Sequence, residues 1–204
     1  MRTVLAGVLL LVSSQLAAQS GYGQPDPLFT PGYAAAPTTP DQVVRSGIDR
    51  LSGFLMGVQN PSPDVIRGFL DREIAPHFDF TYMARWAAGP MHRRLTPPEQ
   101  ARMTEVLKNL FLSALARNLG TFTRPLPRVD VYPARATADG SQATVPARVV
   151  GSDGVLARLS FRFYWNERGW RIFDVSANGA SAVAYYRTYF GEMFRRHGPD
   201  AVLR

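Results

Sequence analysis

The clearest pattern in the chain is an alternation of apolar and polar residues between Arg158 and Trp165. Its apolar positions are Leu159, Phe161, Phe163 and Trp165. This period of two predicts a β-strand with one buried and one solvated face. A turn follows at residues 166–169, and residues 170–175 are the predicted returning strand. Because the connection is so short, the two strands form an antiparallel hairpin.

Two further extended segments precede this hairpin. Residues 129–132 form a short predicted strand, and apolar residues alternate again over residues 143–149. Pro146 lacks an N–H for a strand ladder, so we expect its strand to lie at a sheet edge or to carry a bulge. Asp153-Gly154 predicts a hairpin turn into the next strand. The second half of the chain therefore predicts an antiparallel sheet of about four strands.

Helical periodicity dominates the part of the chain before the strands. Four segments combine apolar spacing of three and four with an N-terminal capping residue: Thr39, Ser62, Asp79 and Thr96. Their helices should end near Gly57, before Pro76, near Gly89 and at Gly120. A fifth helix is predicted after the final strand. The order of elements predicts an α+β fold, with N-terminal helices packed on the antiparallel sheet and a C-terminal helix.

The C-terminal helix has an unusual surplus of aromatic residues. Its main apolar face is Val183, Tyr186, Phe190 and Met193, and a second stripe lies beside it at Tyr185 and Tyr189. One interpretation is a well-buried core helix. The other is that the surplus lines a cavity.

The N-terminus has the pattern of an exported protein. Residues 1–20 combine a basic start, a short apolar run over residues 4–12 and small residues near a cleavage point between residues 17 and 20, which is typical of a signal peptide. Residues 21–40 contain five prolines and predict a flexible leader. Residues 41–204 are the predicted single domain. We therefore expect a mature protein that is soluble in the periplasm.

The charge and the cysteine content of the chain limit the functions it can have. The 204 residues include 23 basic and 16 acidic side chains, and no cysteine. Such a basic balance favours anionic partners, but export argues against nucleic acid, and the arginines are scattered without a long run. A solvated basic surface is therefore favoured over a specific site for an anion. The absence of cysteine excludes disulfides and a lipidated cysteine.

Candidates for catalysis are few. His77, His92 and His197 lie in separate segments without metal-ligand spacing, and Ser181 is better explained as a helix start than as a nucleophile elbow. No metal or cofactor is expected. Asp174 lies in an apolar strand at a spacing of two from Ile172 and of four from Trp170, so we expect the three side chains on one face of the sheet. There the Asp174 carboxylate could act as a general base. A structural role, pairing with an arginine or capping the loop after it, is the favoured alternative.

Two stretches together resemble a known family. The first is residues 170–181 (WRIFDVSANGAS), followed by Tyr186-Arg187, Phe190 and Gly198. The second is residues 69–79 (FLDREIAPHFD), followed by Met83-Ala84, Gly89, Arg93 and residues 95–100. In this order they resemble the MlaC, or toluene-tolerance, family of periplasmic phospholipid-binding proteins over residues 39–204. Met91-His92 departs from the bulky aromatic residues expected there.

The resemblance implies a carrier and no enzyme. It implies a protein that shuttles phospholipid between an outer-membrane lipoprotein complex and an inner-membrane ABC transporter with its hexameric tethered partner. A neighbouring branch of the family is associated with hopanoids, so the cargo could be a hopanoid or another apolar lipid. Two acyl chains hold roughly 30 methylenes, whose burial contributes about 24 kcal/mol. A carrier must therefore offer an apolar pocket.

We expect that pocket on the predicted inner faces of the helices and the sheet. Its candidate lining residues are Phe69, Met83, Phe111, Leu115, Phe161, Phe163, Val183, Tyr186 and Phe190. Two alternatives remain open. One is an exported isomerase or hydrolase that uses Asp174 with His77 or Tyr186. The other is an adaptor protein with a filled core.

Overall fold

The computed structural model describes residues 38–121 and 125–198. The predicted signal peptide (1–20) and nearly all of the predicted leader (21–40) lie outside the described residues. The helices are α1 (Pro40–Gly57), α2 (Pro63–Phe69), α3 (Phe80–Ala88), α4 (Pro97–Leu119) and α5 (Ala182–His197). The strands are β1 (Arg128–Val131), β2 (Arg135–Ala136), β3 (Gln142–Gly151), β4 (Gly154–Asn166), β5 (Gly169–Ala177) and β6 (Ala180–Ser181).

The strands form one antiparallel sheet in the order β1-β3-β4-β5-β6, with β2 also paired to β3. This arrangement, with helices before and after it, confirms the α+β prediction. The four predicted strands correspond to β1, β3, β4 and β5. The strands β2 and β6 were not predicted because two residues are too short to show an alternation. Among the described residues, none of the helices has the length and apolarity that a membrane crossing needs.

Pro146 lies in the sheet interior, so the expectation of an edge strand is wrong. Its strand β3 pairs with β4 on one side and with β1 and β2 on the other. Pro146 faces the interruption between β1 and β2, where its carbonyl accepts the Tyr132 N–H at 3.0 Å. The proline nitrogen points to the same side as this carbonyl, so the bond it cannot donate is lost where β1 ends, and the pairing of β3 with β4 continues through Pro146. The other expected alternative, a bulge, agrees with the register shift that this strand carries between Val149 and Val150.

The strand β5 contains a β-bulge at Phe173. Ile172 pairs with Phe163 and Asp174 pairs with Arg162, so Phe173 is the extra residue. Side chains alternate along a strand, and an added residue reverses that alternation. Asp174 therefore lies on the opposite face of the sheet from Ile172, and the prediction that the two share a face is wrong.

The second predicted helix is α-helical only as far as Phe69. A π-helical turn follows at Leu70–Ile74, and a 3-10 turn at Ala75–His77 leads into α3. We name residues 70–78 the partition segment. The helix α1 packs against it and against β1 and β3, α4 packs against α2 and α3, and α5 packs against α3 and β5.

Asp79 joins α3 to the sheet. Its N–H donates to the Ile172 carbonyl at 2.9 Å. Its Oδ1 accepts the Tyr82 N–H at 2.8 Å, which caps α3, and its Oδ2 accepts the Tyr164 hydroxyl. One carboxylate therefore holds both a helix start and a β4 side chain.

We predict that Asp79→Ala lowers the free energy of unfolding by about 2–3 kcal/mol, because it removes a helix cap and leaves the half-buried Tyr164 hydroxyl without its acceptor. Ser62→Ala is the matched control, since Ser62 caps α2 through a single bond to Val65 N–H at 3.4 Å and should cost about 1 kcal/mol at most. Urea denaturation measures both variants. Equal losses in the two would contradict the role of Asp79 as a junction.

Candidate functional site

An apolar cavity lies between α1, the partition segment, α4 and one face of the sheet. Its volume is about 90 Å³. Fourteen residues line it: Val43, Val44, Gly47, Ile48, Leu51, Leu70, Ile74, His77, Phe78, Phe111, Leu115, Phe161, Ile172 and Val175. The sheet contributes Phe161, Ile172 and Val175, and the bulge at Phe173 is what brings the last two to the same face.

His77 is the single titratable residue in this lining. Burial, and secondarily the nearby cations Arg50 and Arg171, hold the pKa of its imidazole below the ordinary value. The ring is therefore neutral at pH 7. A neutral ring preserves the apolar character of the cavity, because an unpaired charge there would be strongly destabilising.

The cavity is small for a ligand site. Its 90 Å³ corresponds to about three water molecules of liquid volume, whereas sites for drug-sized ligands have about 300–1,000 Å³. Two acyl chains, the cargo that the resemblance implies, would fit only if the surrounding elements moved apart.

The helix α1 provides five of the fourteen lining residues, including Gly47 near its middle. A Cβ at Gly47 would contact Ile74 Cδ1 at 3.7 Å, so a longer side chain there would extend into the cavity. Gly53, on the same helix, would meet nothing within 4 Å. The two glycines therefore offer a cavity-filling site and a matched control.

Three of the nine residues predicted to line a pocket lie in this cavity: Phe111, Leu115 and Phe161. The other six lie elsewhere: Phe69, Met83, Phe163, Val183, Tyr186 and Phe190. Met83, Phe163 and Phe190 are fully buried in the core, Phe69 stacks on Phe54, and Tyr186 stacks on Phe190. Contact of any of the nine with lipid stays a prediction.

Sequence analysis missed the contributions of α1 and the partition segment to the cavity. The apolar face of α1 was recognised, but its spacing indicates burial without indicating a cavity. Leu70 and Ile74 are four residues apart, so a π turn and an α turn give them nearly the same pattern. The sequence therefore does not indicate that a π turn replaces an α turn at these residues.

Asp174 is buried, and both of its carboxylate oxygens have partners. Its Oδ2 accepts the Ser181 hydroxyl at 2.8 Å and lies 3.6 Å from Arg162 Nη1. Its Oδ1 accepts the Val183 N–H at 3.1 Å. Ser181 in turn accepts the Ala184 N–H as the cap of α5. Asp174 therefore fixes the start of α5, in agreement with the structural role favoured from the sequence.

The geometry does not assemble the alternative catalytic site. Asp174 faces away from the side of the sheet that carries Ile172 and Val175, whereas His77 lines the cavity on that side. Burial raises the pKa of Tyr186 to about 12, so its hydroxyl stays protonated at pH 7. Within residues 38–121 and 125–198, no cluster of His, Asp and Glu side chains suits a metal ion.

Comparison with known proteins agrees with this architecture. The family model for the MlaC protein matches residues 57–204. The chain belongs to the MlaC family. A solved structure is also similar: a phospholipid-binding protein from Ralstonia solanacearum in complex with a phospholipid, with a TM-score of 0.72 and 21% sequence identity. That match covers 82% of this chain and 93% of the other. A search of curated proteins found no match.

The Ralstonia protein shares the fold of this chain over most of both lengths. Family membership and fold confirm the resemblance inferred from residues 170–181 and 69–79.

We predict that Asp174→Asn lowers the free energy of unfolding by about 1–3 kcal/mol, because the amide loses the charge that faces Arg162 and offers an N–H₂ group where an acceptor is needed. Asp130→Asn is the control. Asp130 pairs with Arg128 at 3.2 Å on the surface, and such pairs contribute about 0–1 kcal/mol. Thermal melts compare the two. Unchanged stability of Asp174→Asn would reopen a functional role for this carboxylate.

A second prediction concerns alkaline pH. The folded-state pKa of Tyr186 is raised to about 12, whereas an unfolded tyrosine ionises near pH 10. The stabilisation from the buried neutral phenol is therefore complete below about pH 10 and is lost as the pH rises toward 12. Compared with Tyr186→Phe, the wild type should lose about 1 kcal/mol more between pH 9 and pH 11. Urea denaturation at both pH values measures this difference, and parallel losses would contradict it.

Proposed function

We propose that the protein is a periplasmic lipid carrier that binds phospholipid acyl chains in the cavity between α1 and the sheet. The observation that carries the proposal is the lining itself, with thirteen residues that bear no ionisable group and one neutral histidine. Membership of the MlaC family supports it. So does the common fold with a phospholipid-binding protein whose structure contains a phospholipid.

Energetics require a cavity that opens on loading. The roughly 24 kcal/mol from burying two acyl chains is relative to water and is already realised in a bilayer, so the opened cavity has to offer the chains a comparable apolar surface. The helix α1 is a suitable moving element because it provides five of the fourteen lining residues, so its displacement widens the cavity directly. In the lipid-free state the cavity then closes to 90 Å³, which limits the apolar surface in contact with water.

The family also supports the finer proposal of a shuttle. We infer that a signal peptide at residues 1–20 directs the chain to the periplasm. There it would exchange lipid with an outer-membrane lipoprotein complex and with an inner-membrane ABC transporter and its hexameric partner. A hopanoid or another apolar lipid is the alternative cargo. The Asp174 carboxylate accepts hydrogen bonds from Ser181 and Val183 and pairs with Arg162. These contacts suit a protein that binds and transports lipid without catalysis.

Native mass spectrometry tests the carrier function. The protein is purified from a bacterial periplasm, and the bound lipid is then extracted and identified. We expect an adduct of one phospholipid mass per chain. An adduct of hopanoid mass would assign the alternative cargo, and a consistently ligand-free mass would refute the carrier function.

Gly47→Leu tests whether this cavity is the chain site. The added side chain displaces about three methylenes of lipid, or about 2 kcal/mol, so we expect roughly 30-fold weaker lipid retention. Folding should survive, since leucine has a higher helix propensity than glycine. Gly53→Leu gives the same gain in propensity on the open side of α1 and should retain lipid normally. Equal retention by both variants would exclude this cavity.

A further inference from the structure

The sheet has a second face, on the side away from the cavity. The helices α3 and α5 pack against β5, but along β3 and β4 the side chains of this second face are exposed or half-buried. We name the second face of β1, β2, β3 and β4 the open face. One solvated face is common in antiparallel sheets, so its exposure alone implies no function.

The charge of the open face is almost entirely of one sign. Asp130 is the single acidic residue within β1, β2, β3 and β4. By the strand pairing and the alternation of side chains, all five arginines of these strands lie on the open face: Arg128, Arg135, Arg148, Arg158 and Arg162. The open face is therefore strongly basic.

The charged residues form two rows that run across the strands. The first row consists of the cross-strand neighbours Arg135, Thr144 and Arg162. The second row consists of the cross-strand neighbours Asp130, Arg148 and Arg158. The two rows are four residues apart along β3 and along β4, which corresponds to about 13 Å.

A strip of short side chains separates the two rows. Pro146 pairs with Ser160, and Ser160 pairs with Ser176 on its other side. All three residues are half-buried, and their side chains are much shorter than arginine. The strip is therefore the floor of a shallow trough about 13 Å wide. An α-helix has a diameter of about 10–12 Å, so one helix fits across the strands between the two rows.

Three arginines of the open face have no ionic partner. Among the described residues, the guanidinium groups of Arg135, Arg148 and Arg158 make no hydrogen bond or ion pair. Arg148 lies over the ring of Tyr132, 4.8 Å from its centre. The other two arginines are paired with aspartates. Both rows therefore have guanidinium groups available for an anion.

The pairing of Arg148 with Arg158 is unfavourable for the chain alone. The two residues are directly opposite each other on β3 and β4, and like charges in this position destabilise a sheet. A carboxylate from another molecule would remove the repulsion, because it accepts charge-assisted hydrogen bonds from both guanidinium groups. The pair is thus explained by binding and not by folding.

We propose that the open face docks an acidic α-helix of a partner protein, which lies across the strands in the trough. Carboxylates on one flank of this helix bind Arg148 and Arg158, and carboxylates on its other flank bind Arg135. The cavity lies on the opposite face of the sheet, so docking leaves the cavity lining in place. The inference rests on the proposed function only for the location of the encounter in the periplasm.

The shape of the open face favours a protein helix over an anionic bilayer. Apolar side chains that enter the acyl region strengthen the binding of a protein to a membrane surface. The floor of the trough offers none of this kind, since it consists of Pro146, Ser160 and Ser176. Its width, in contrast, matches one helix.

Site-specific photo-crosslinking tests the docking of a helix. The amino acid p-benzoylphenylalanine replaces Ser160, on the floor of the trough, in one version of the full chain. It replaces Thr188, an exposed residue of α5, in the control version. Both are expressed and irradiated in the periplasm of the source bacterium, and mass spectrometry sequences the crosslinked peptides. We expect the Ser160 version alone to crosslink a protein segment whose acidic residues recur at helical spacing on two flanks.

Variants of the Ser160 version identify the responsible charges. Arg148→Gln with Arg158→Gln should lower the yield of this crosslink about tenfold. The same change should not lower the melting temperature, because it removes a repulsion. Arg168→Gln with Arg196→Gln removes the same charge at exposed positions outside the open face and should leave the yield unchanged. Lost docking without lost stability distinguishes a binding role from a structural one.

Several outcomes would overturn the proposal. A crosslink to lipid would assign the open face to a membrane, as would flotation with vesicles of phosphatidylethanolamine and phosphatidylglycerol that the double variant at Arg148 and Arg158 loses. A crosslink to a second copy of this chain or to a segment without acidic residues would also contradict it, and so would no crosslink, or equal yields from the two double variants.

Native mass spectrometry of the same proteins separates this inference from the carrier function. Bound lipid in a protein that gives no crosslink would refute docking alone. A consistently ligand-free protein that still crosslinks an acidic helix would refute the carrier function alone.

Discussion

One extra residue in β5 determines which side chains face the cavity and which face the helices on the other side of the sheet. Without the bulge at Phe173, Ile172 and Asp174 would share a face, and a carboxylate would enter an apolar lining. With the bulge, Ile172 and Val175 both line the cavity, while Asp174 reaches Arg162, Ser181 and the Val183 N–H. The apolar lining of the cavity and the starting point of α5 therefore follow from the same insertion.

The bulge is itself stabilised by packing. Phe173 lies edge-on to Tyr82, with ring centroids 5.5 Å apart, and the Arg162 guanidinium lies 4.7 Å from the centre of its ring. Tyr82 also stacks on Tyr164, whose hydroxyl is held by Asp79. A chain of contacts thus runs from α3 across β4 to the irregular point of β5. This chain gives the extra residue a defined place instead of leaving it free to slip along the strand.

Much of the fold follows from local patterns, because helix caps and hydrophobic periodicity are properties of neighbouring residues. The alternation of Leu159, Phe161 and Phe163 and the capping box at Thr96 are of this kind. The bulge at Phe173 and the interior place of Pro146 depend on partner strands, so the sequence of one strand does not reveal them. The site is less predictable for a similar reason. Phe161 lines the cavity and Phe163 does not, although their sequence patterns are the same.

The π turn at Leu70–Ile74 gives this segment a tolerance for length that a regular helix lacks. A π turn contains one residue more than the α turn it replaces, and it takes up that residue within the wider turn. Deleting one residue here would restore α-helical winding and leave His77 and Phe78 close to their present directions, toward the space that they share with Phe161. The same deletion within α4 would rotate every later residue of that helix by about 100°. The π turn can therefore lose one residue where the long helix cannot.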